Sequence, residues 1–457
     1  MNPGVSNFSV MNRIPTAQMS SHAALPSLWL LLPYIFLCAC SQPTATPVPV
    51  SGNRPPALTM MPSGNSSEEL SFLSSQLDAY RRRSGVRINT LAADDSIDTR
   101  LRLFQNIFEK KSAEPDICGI DDIWPGLLAD DLIDLKPYLG DEMTAVDQGL
   151  LAAFTVAGRL VALPDAVDTV VLYYRTDLLE KYGYRGPPQT WDELARMAKV
   201  IQDGERKSGA KDFWGYIWQG AEGEALTCNG MEWQRSEGFS LIDKSGALCP
   251  LTPAAEFALK RARSWVGTIS PPSVIEYDEE DASNVWLTGS AAFARGWLSL
   301  YELSKASPFL AKRFSTVHMP AGNAGYAWTF GGMGLAVSRY SLNPGAAVQV
   351  IRYLSSPEAQ RRRLTTISSI PSRTSLLSDA SLLRNTAFNG WLSQHWQEGM
   401  FARPSAQTGK KYDAISRAYS KAVHDVISGK QEAHQAMTQL HSELVSIMQT
   451  RNAPSAK

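Results

Sequence analysis

Residues 117–124 read Ile-Cys-Gly-Ile-Asp-Asp-Ile-Trp, and the fold class can be inferred from this stretch and the pattern around it. Residues 117–120 predict a short strand, and Asp121, Asp122 and Trp124 follow directly after it. In open α/β sheets, ligands bind outside the carboxyl ends of the strands. Asp121 is therefore the first candidate for a ligand-binding residue, with Trp124 as a nearby aromatic.

The sequence on both sides of this stretch alternates short apolar strands with amphipathic helices from about residue 57 onward. Upstream, residues 86–91 predict a strand. Downstream, residues 158–164 predict a turn and a strand and residues 170–174 predict another, with Asp168 between the two. This alternation is typical of an α/β fold.

Helix starts can be read at several places in the same pattern. Ser66 with Glu69, and Thr190 with Glu193, have the spacing of a capping box. Asn343 precedes a proline, which suits an N-cap followed by the first helical position. The last predicted helix has its apolar residues on one stripe: Met437, Leu440, Leu444 and Ile447.

Size and charge narrow the class of protein. The chain has 457 residues, which is enough for two or three packed cores. Its formal net charge is -1 and it has no basic tract, which argues against nucleic acid as a partner. Twelve Trp and fifteen Tyr residues are the better lead, because aromatic faces hold the apolar faces of sugar rings, although Trp is also good core material.

The amino terminus predicts export. Residues 28–39 form an apolar run that is too short to span a bilayer but suits the core of a signal peptide. Residues 37–40, Leu-Cys-Ala-Cys, resemble a lipobox, so Cys40 is the predicted lipidated residue and residues 1–39 the signal peptide. Residues 41–56 are rich in Pro, Ser and Thr and predict a flexible tether. We therefore predict a lipid-anchored protein in the periplasm or at the cell surface; the alternative is an uncleaved anchor helix.

Cleavage and lipidation would leave three cysteines, Cys118, Cys228 and Cys249. In an oxidising compartment Cys228 and Cys249 could form a disulfide, which would close the shortest loop and leave one thiol free. No Cys or His spacing supports a metal site, so we predict neither a metal nor a cofactor.

Motifs of the common enzyme classes are absent from the sequence. It has no HExxH, GxSxG, P-loop or GxGxxG pattern, and its six His residues are scattered. The adjacent carboxylates Asp121 and Asp122, like Glu279 and Glu280, generally point in different directions and cannot serve as acid and base across one bond. We therefore predict no catalytic residues.

Polar side chains with aromatic residues close by in sequence are the candidate ligand groups. Carboxylates and arginines can bind paired sugar hydroxyls, and flat rings can lie under the sugar face. For each Trp, burial in the core is at least as good an explanation. The candidates are Asp121 near Trp124, Asp168 before Tyr173, Trp214 and Trp218, Glu232 beside Trp233, Arg295 near Trp297, and Arg403.

Taken in order, several stretches resemble the family-1 extracellular solute-binding proteins of ABC importers, with the trehalose/maltose-binding group as the nearest branch. The similarity is spread over about residues 65–450. The matching stretches are residues 120–125, 158–164, 172–179, 188–194, 213–219, 226–233, 279–289, 291–297, 330–332 and 401–404.

The resemblance implies an α/β protein with the two-lobed periplasmic-binding-protein type II fold and a hinge between the lobes. It places residues 57–166 and 321–370 in the first lobe and residues 167–320 and 371–457 in the second. A sugar would bind in the interlobe cleft, the lobes would close on it, and the closed form would dock on the transmembrane subunits of a permease. We expect a monomer.

The resemblance also implies roles for individual residues. Carboxylates would accept hydrogen bonds from sugar hydroxyls, with Glu232 doing so from the second lobe, and Arg403 would donate in a charge-assisted pair. Trp297 would stack on a ring, and two glycines would bring the backbone close to the ligand. Glu69 is explained equally well as a helix cap. The predicted ligand-binding residues are Asp121, Asp168, Glu232, Trp297, Gly331, Gly332, Arg403, Glu69, Trp124 and Trp218.

Two departures from the family pattern leave the particular sugar open. Met333 stands where Trp commonly follows the paired glycines, and Gly296 and Leu298 stand where Asn and Pro commonly flank the tryptophan. We predict the substrate-binding lipoprotein of an ABC importer for a sugar, such as the disaccharides trehalose or maltose. The alternatives are a sugar-binding protein that serves a sensor or chemoreceptor, and an exported glycosidase.

Overall fold

The structure, a computed structural model, describes residues 56–64, 66–92, 97–383 and 398–450. The predicted signal peptide, the predicted lipidation site Cys40 and residues 41–55 of the predicted tether lie outside these ranges. Across the four described ranges, no helix combines the length and the apolar character needed to cross a membrane.

The strands confirm the predicted alternation with helices. They are β1 (Ala57–Met61), β2 (Arg87–Thr90), β3 (Ile117–Asp121), β4 (Thr155–Val156), β5 (Arg159–Leu160), β6 (Leu163–Arg175), β7 (Trp214–Ile217), β8 (Ala291–Trp297), β9 (Phe314–Val317), β10 (Trp328–Val337) and β11 (Met400–Phe401).

The helices lie between and around these strands, and short 3-10 turns such as Leu298–Leu300 connect some of them. The α-helices are α1 (Ser67–Ser84), α2 (Ile97–Glu109), α3 (Pro125–Leu128), α4 (Lys136–Leu139), α5 (Gln148–Ala153), α6 (Thr176–Lys181), α7 (Trp191–Lys207), α8 (Glu224–Ser236), α9 (Pro253–Trp265), α10 (Glu279–Leu287), α11 (Tyr301–Ala306), α12 (Pro344–Leu354), α13 (Pro357–Ile367), α14 (Thr374–Leu377), α15 (Ala380–Leu383), α16 (Ser405–Thr408), α17 (Tyr412–Ile427) and α18 (Ala433–Gln449).

The main sheet has the strand order β2-β1-β3-β10-β6-β8-β7, and β11 and β9 pair with β10 and β6 beside this path. Strand β1 runs parallel to β2 and β3, and β7 runs parallel to β8. Strand β10 is antiparallel to both β3 and β6. The central strands β10 and β6 therefore join a parallel half on one side to a second half on the other.

Strand β6 crosses from one half of the sheet to the other. Its residues up to Thr169 pair with β10, and its residues from Val170 onward pair with β8. The predicted lobe boundary at residues 166–167 lies inside this strand, and Val167 forms a β-bridge with Ile370 at another predicted crossing. The division into lobes at these residues remains a prediction.

One part of the predicted pattern was wrong around Asp168. We expected this residue between two strands, but residues 163–175 form the single strand β6 with Asp168 inside it. The antiparallel partner β10 continues alongside, with a bulge between Met333 and Gly334, and supplies the hydrogen bonds that keep β6 extended. A local sequence pattern does not show this partner.

The predicted helix caps were confirmed in part. Ser66 and Glu69 form a reciprocal capping box at α1. Thr190 caps α7, but the Glu193 side chain accepts from Gln189 N at 2.8 Å instead of from the cap residue. Pro344 opens α12, whereas the side chain of Asn343 makes no capping hydrogen bond.

Buried apolar side chains form two clusters, as expected for a chain of two lobes. The first lies around the β1–β3 half and includes Leu58, Phe104, Ile120, Leu335 and Ile351. The second lies among α7, α8, α9, α17 and α18 and includes Trp191, Trp218, Trp233, Leu259 and Tyr419. Strand β6 contributes to both clusters, through Val171 to the first and Leu172 to the second.

The three described cysteines, Cys118, Cys228 and Cys249, are free thiols. The disulfide considered between Cys228 and Cys249 is therefore not formed in this structure. Cys228 is buried in α8, and this burial raises the pKa of its thiol to about 12, which keeps it protonated and unreactive.

Candidate functional site

Three neighbouring strands place the first predicted ligand residues side by side. Asp121 ends β3 and pairs in register with Met333 of β10. On the other side of β10, Asp168 of β6 pairs with Gly331. The two aspartates are therefore separated by one strand, and that strand carries two glycines at this point. Asp121 and Asp168 therefore lie near the same part of β10. Their positions in the sequence, 47 residues apart, do not show this.

Asp168 is partly exposed and retains hydrogen-bonding capacity. Its Oδ1 accepts from Thr169 N at 2.7 Å and its Oδ2 from Ser299 N at 3.4 Å. Each carboxylate oxygen has a second acceptor position. Burial raises the pKa of Asp168 to about 6, and these hydrogen bonds oppose that rise. Asp168 can therefore accept further hydrogen bonds from a ligand when it is ionised.

The Trp297 ring lies against the backbone of β10. A Cβ atom added to Gly331 would come within 2.8 Å of the ring atoms Cη2 and Cζ3, so only glycine allows this close approach. The indole Nε1 donates to Glu279 Oε1 at 2.8 Å. The guanidinium of Arg295 lies 5.3 Å from the ring centroid, within the range of a cation–π contact. These contacts hold the partly exposed ring in one place beside Asp168.

Gly332 and Met333 complete this part of β10. Gly332 has φ 119°, and a Cβ atom there would lie 2.2 Å from Ala166 O, so its position also requires glycine. Its carbonyl accepts from Asp122 N at 3.0 Å, which fixes the turn after β3. Met333 is partly exposed and pairs in register with Asp121.

Glu232 occupies a different environment from the one that we predicted. Its side chain is 0% exposed and forms a salt bridge with Arg295 Nη2 at 2.8 Å. Thr329 Oγ1 donates to the same carboxylate at 2.7 Å. Burial alone would lower the pKa of Arg295, but its contact with Glu232 raises that pKa, so the arginine stays charged. Glu232 therefore has no surface to offer a ligand in this structure and instead supports Arg295 behind Trp297.

Arg403 is also committed to protein partners. Its Nη2 lies 2.5 Å from Asp122 Oδ1 and 3.9 Å from Asp121 Oδ1, and its Nη1 donates to Glu224 Oε1 at 2.9 Å. Glu224 in turn accepts from the hydroxyl of Tyr412. Arg403 thus ties the end of β3 to the start of α8, and its charge is balanced by two carboxylates.

The remaining predicted residues are explained by packing and capping. Trp124 is 1% exposed and packs edge-on against Phe104, and Trp218 is fully buried with its Nε1 bonded to Ser270 Oγ at 3.0 Å. Neither ring reaches the surface, so the core explanation accounts for both. Glu69 is partly exposed at the start of α1 and accepts from Ser66.

Two residues that contact the site were missed as ligand-site candidates. Glu279 was noted as half of an adjacent carboxylate pair and within the matching stretch 279–289, but not as a ligand residue, and Glu224 was not singled out. Glu279 lies 18 positions before Trp297, and Glu224 lies 179 positions before Arg403, so no local pattern connects either pair. Contact information between distant positions would have been needed to find them.

A cavity of about 250 Å³ opens elsewhere, beside Arg235, Tyr326 and Phe401. None of the predicted ligand residues lines it, and Arg235 sits over the Phe401 ring at 4.3 Å. This cavity is separate from the residues around Trp297, so its volume says nothing about the size of a ligand that would bind there.

A protein family and a related protein each match more than half of this chain. Residues 65–361 match the family described as bacterial extracellular solute-binding protein. A probable ABC transporter-binding protein of Deinococcus radiodurans is 40% identical over 375 residues, covering 81% of this chain and 89% of that protein.

Solved structures show the same fold. The maltose-bound MalE3 of T. maritima superposes with a TM-score of 0.75 at 30% identity, covering 86% of this chain and 99% of that one. A Thermotoga lettingae ABC transporter solute-binding protein bound to α-D-tagatose has a TM-score of 0.74 at 22% identity, covering 86% of this chain and 99% of that one, and supports the fold alone. The fold is thus the two-lobed periplasmic-binding-protein type II fold, and the chain belongs to the bacterial extracellular solute-binding protein family.

Proposed function

We propose that this protein is the substrate-binding component of an ABC importer and that it captures a sugar beside Trp297. The observation that carries the proposal is a partly exposed indole ring, fixed on Gly331, next to the unfilled acceptor positions of Asp168. A flat apolar face beside a carboxylate matches the two faces of a sugar, since the C–H groups pack on the ring and the hydroxyls donate.

The relatives support the transport role. The D. radiodurans relative is described as a probable ABC transporter-binding protein, and the T. maritima structure contains maltose. We accordingly propose a sugar ligand, delivery to the transmembrane subunits of a permease, a monomeric protein and no enzymatic activity. Asp121, Asp168 and Trp297 form the core of the proposed ligand site, with backbone contacts from Gly331 and Gly332.

We propose that two of the residues predicted from the sequence do not contact the ligand directly. Glu232 and Arg403, which resembled ligand residues in the sequence, act on the ligand only through the groups that they hold. Gly296 also has a structural reason, because a Cβ atom there would lie 3.2 Å from the Tyr173 ring. A side chain at position 296, such as the asparagine common in the family, would crowd Tyr173. Because the site departs from the family pattern at this position, maltose and trehalose are the first sugars to test.

Binding is tested with the mature domain and a panel of mono- and disaccharides. A bound sugar raises the midpoint of thermal unfolding by mass action, and calorimetry then gives the affinity. Trp297→Ala and Asp168→Ala should each weaken binding by about a hundredfold while the variants remain folded. Phe257→Ala is the matched control, because Phe257 is an exposed aromatic on α9 whose ring lies next to Arg261, which is not a residue of the proposed site.

Unchanged affinity in both site variants would refute the proposed site. Turnover of a disaccharide by the wild type would refute the binding-only function. Loss of sugar uptake on deletion of the gene would support import, whereas normal uptake with lost sugar sensing would favour a receptor partner.

We also propose that Cys40 carries the lipid anchor after cleavage of residues 1–39, on the basis of the Leu-Cys-Ala-Cys sequence. Cys40→Ala should leave the signal peptide uncleaved and abolish incorporation of labelled fatty acid. Equal labelling of the variant and the wild type would refute the anchor.

A further inference from the structure

We infer that Glu279 is a specificity-determining residue of the Trp297 site, and that this site takes neutral or amine-bearing sugars and rejects sugars that carry a carboxylate or phosphate near the stacked ring. The inference rests on the proposed function. It adds a residue outside the predicted ligand set and a chemical class for the ligand.

Glu279 both positions the ring and presents a free acceptor. Its Oε1 accepts from Trp297 Nε1 at 2.8 Å, which fixes the edge of the indole. The side chain is exposed, and its Oε2 makes no hydrogen bond within the described residues. A sugar lying on the Trp297 face would therefore have a carboxylate oxygen at the edge of the same ring.

A second carboxylate lies near the same ring. Asp168 pairs in register with Gly331, the residue on which Trp297 rests. It accepts from the backbone amides of Thr169 and Ser299, and the Ser299 side chain also favours its ionised form. Within the part of the chain that the structure describes, neither Asp168 nor Glu279 forms a salt bridge. Glu279 contributes to the electrostatic field at Arg295, but its carboxylate is not in salt-bridge contact with that guanidinium. The stacking surface is thus flanked by two carboxylates that no salt bridge neutralises in the described part of the chain.

The arginines that adjoin these groups are already neutralised. Arg295, behind the ring, has a side chain that is 0% exposed and is paired with Glu232. Arg403, near Asp121, is paired with Asp122 and Glu224. Neither guanidinium can turn to an incoming anion without leaving a buried carboxylate unpaired, which is costly.

The sign of the local charge then selects the ligand. An anionic group placed near Asp168 and Glu279 is repelled and loses its hydration without gaining a cation in return. Neutral hydroxyls donate to carboxylates at no such cost. An ammonium group gains a charge-assisted hydrogen bond. The site therefore discriminates by charge as well as by ring shape.

The test compares three matched forms of one disaccharide, neutral, aminodeoxy and phosphorylated, on both the maltose and the trehalose scaffolds. Affinities are measured by calorimetry at constant ionic strength for the wild type and for Glu279→Gln, Glu279→Ala and Glu280→Gln. Glu279→Gln removes the charge but keeps an acceptor for Trp297 Nε1. Glu280→Gln is the matched control, because Glu280 is the adjacent exposed carboxylate and its side chain forms no hydrogen bond or ion pair within the described residues.

We expect the wild type to bind the phosphorylated form at least about tenfold more weakly than the neutral form. Glu279→Gln should narrow this ratio by about threefold or more, and Glu279→Ala should also weaken neutral binding because the ring loses its partner. Glu280→Gln should change neither value. Equal binding of neutral and phosphorylated sugars by the wild type, or the same ratio in the Gln variants at 279 and 280, would overturn this inference while leaving sugar binding intact. Failure of the wild type to bind any sugar would overturn the proposed function and this inference together.

Discussion

Glu232 and Asp168 are two carboxylates that look alike in the sequence and differ in the structure. Each precedes an aromatic residue, and each resembled a sugar-binding acceptor. Glu232 is 0% exposed and is held by Arg295 and Thr329. Asp168 is partly exposed and accepts hydrogen bonds from Thr169 and Ser299, neither of which carries a charge.

The difference shows how one residue type serves two purposes around a single ring. A buried carboxylate must be paired, because desolvation of an unpaired charge costs more than most single interactions return. A partly exposed carboxylate keeps acceptor positions for a ligand. The region behind Trp297 is therefore structural, and the region beside Trp297 is the one that can bind.

The strongest test of this comparison removes the buried carboxylate. Glu232→Ala leaves Arg295 buried without a counter-charge and should lower the free energy of unfolding by about 3–5 kcal/mol, measured by urea denaturation. Glu232→Gln keeps an acceptor for Thr329 and should cost less. A folded Glu232→Ala variant of normal stability that has lost sugar affinity would reverse the two roles.

Arg403, which forms another buried ion pair, extends the comparison. Arg403→Lys cannot reach Asp122 and Glu224 with two separate nitrogens, so we expect a loss of about 2 kcal/mol in the free energy of unfolding. Because Asp121 is 3.9 Å away, affinity for sugar should fall less than in Asp168→Ala. An affinity loss as large as that of Asp168→Ala, at unchanged stability, would identify Arg403 as a direct ligand donor.

Gly331 tests whether the position of the ring matters for binding. In Gly331→Ala the new methyl would displace the Trp297 ring, whose contact atoms are at the end of a side chain, so affinity should fall about tenfold with little loss of stability. Gly332→Ala is the comparison variant, since its methyl would meet Ala166 O and its φ is positive. That variant should instead lose stability. Equal effects of the two variants on both quantities would contradict the distinction.

The smallest expected effect is on pH dependence. Burial raises the pKa of Asp168 from 3.8 to about 6, so the folded protein binds this proton more tightly than the unfolded chain does. Its contribution to stability is present at low pH and is lost as the pH rises from 3.8 through about 6. Asp168→Asn should remove this part of the pH profile of thermal unfolding.

Sugar affinity should change in the opposite direction, because the ionised carboxylate is the better acceptor. We expect a gain of about fivefold as the pH rises through about 6 in the wild type and a flat profile in Asp168→Asn. A wild-type affinity that is independent of pH would argue against direct contact of Asp168 with the ligand.

Much of the fold could be predicted from local patterns. Helix α1 with its capping box and the stripe on α18 follow from residues close together in the sequence, and the apolar run of β3 is visible there as well. The continuity of β6 through Asp168 could not be predicted, since it depends on β10, which lies about 160 residues further along the chain.

The amino-acid order alone specified an α/β chain with helix caps, aromatic residues suited to sugar binding and the family to which it belongs. The tertiary structure decided which carboxylates remain accessible to a ligand, because burial and ion pairing depend on groups far apart in the chain. Asp121 could be identified as a carboxylate at the end of a strand, and the folded sheet pairs it in register with Met333 of β10. Glu232 is buried in a salt bridge with Arg295. Glu279, which lies 18 residues before Trp297 in the sequence, accepts a hydrogen bond from the Trp297 ring. Whether a charged side chain supports the fold or can bind a ligand depends on its partners and on its exposure to solvent, and only the folded chain determines these.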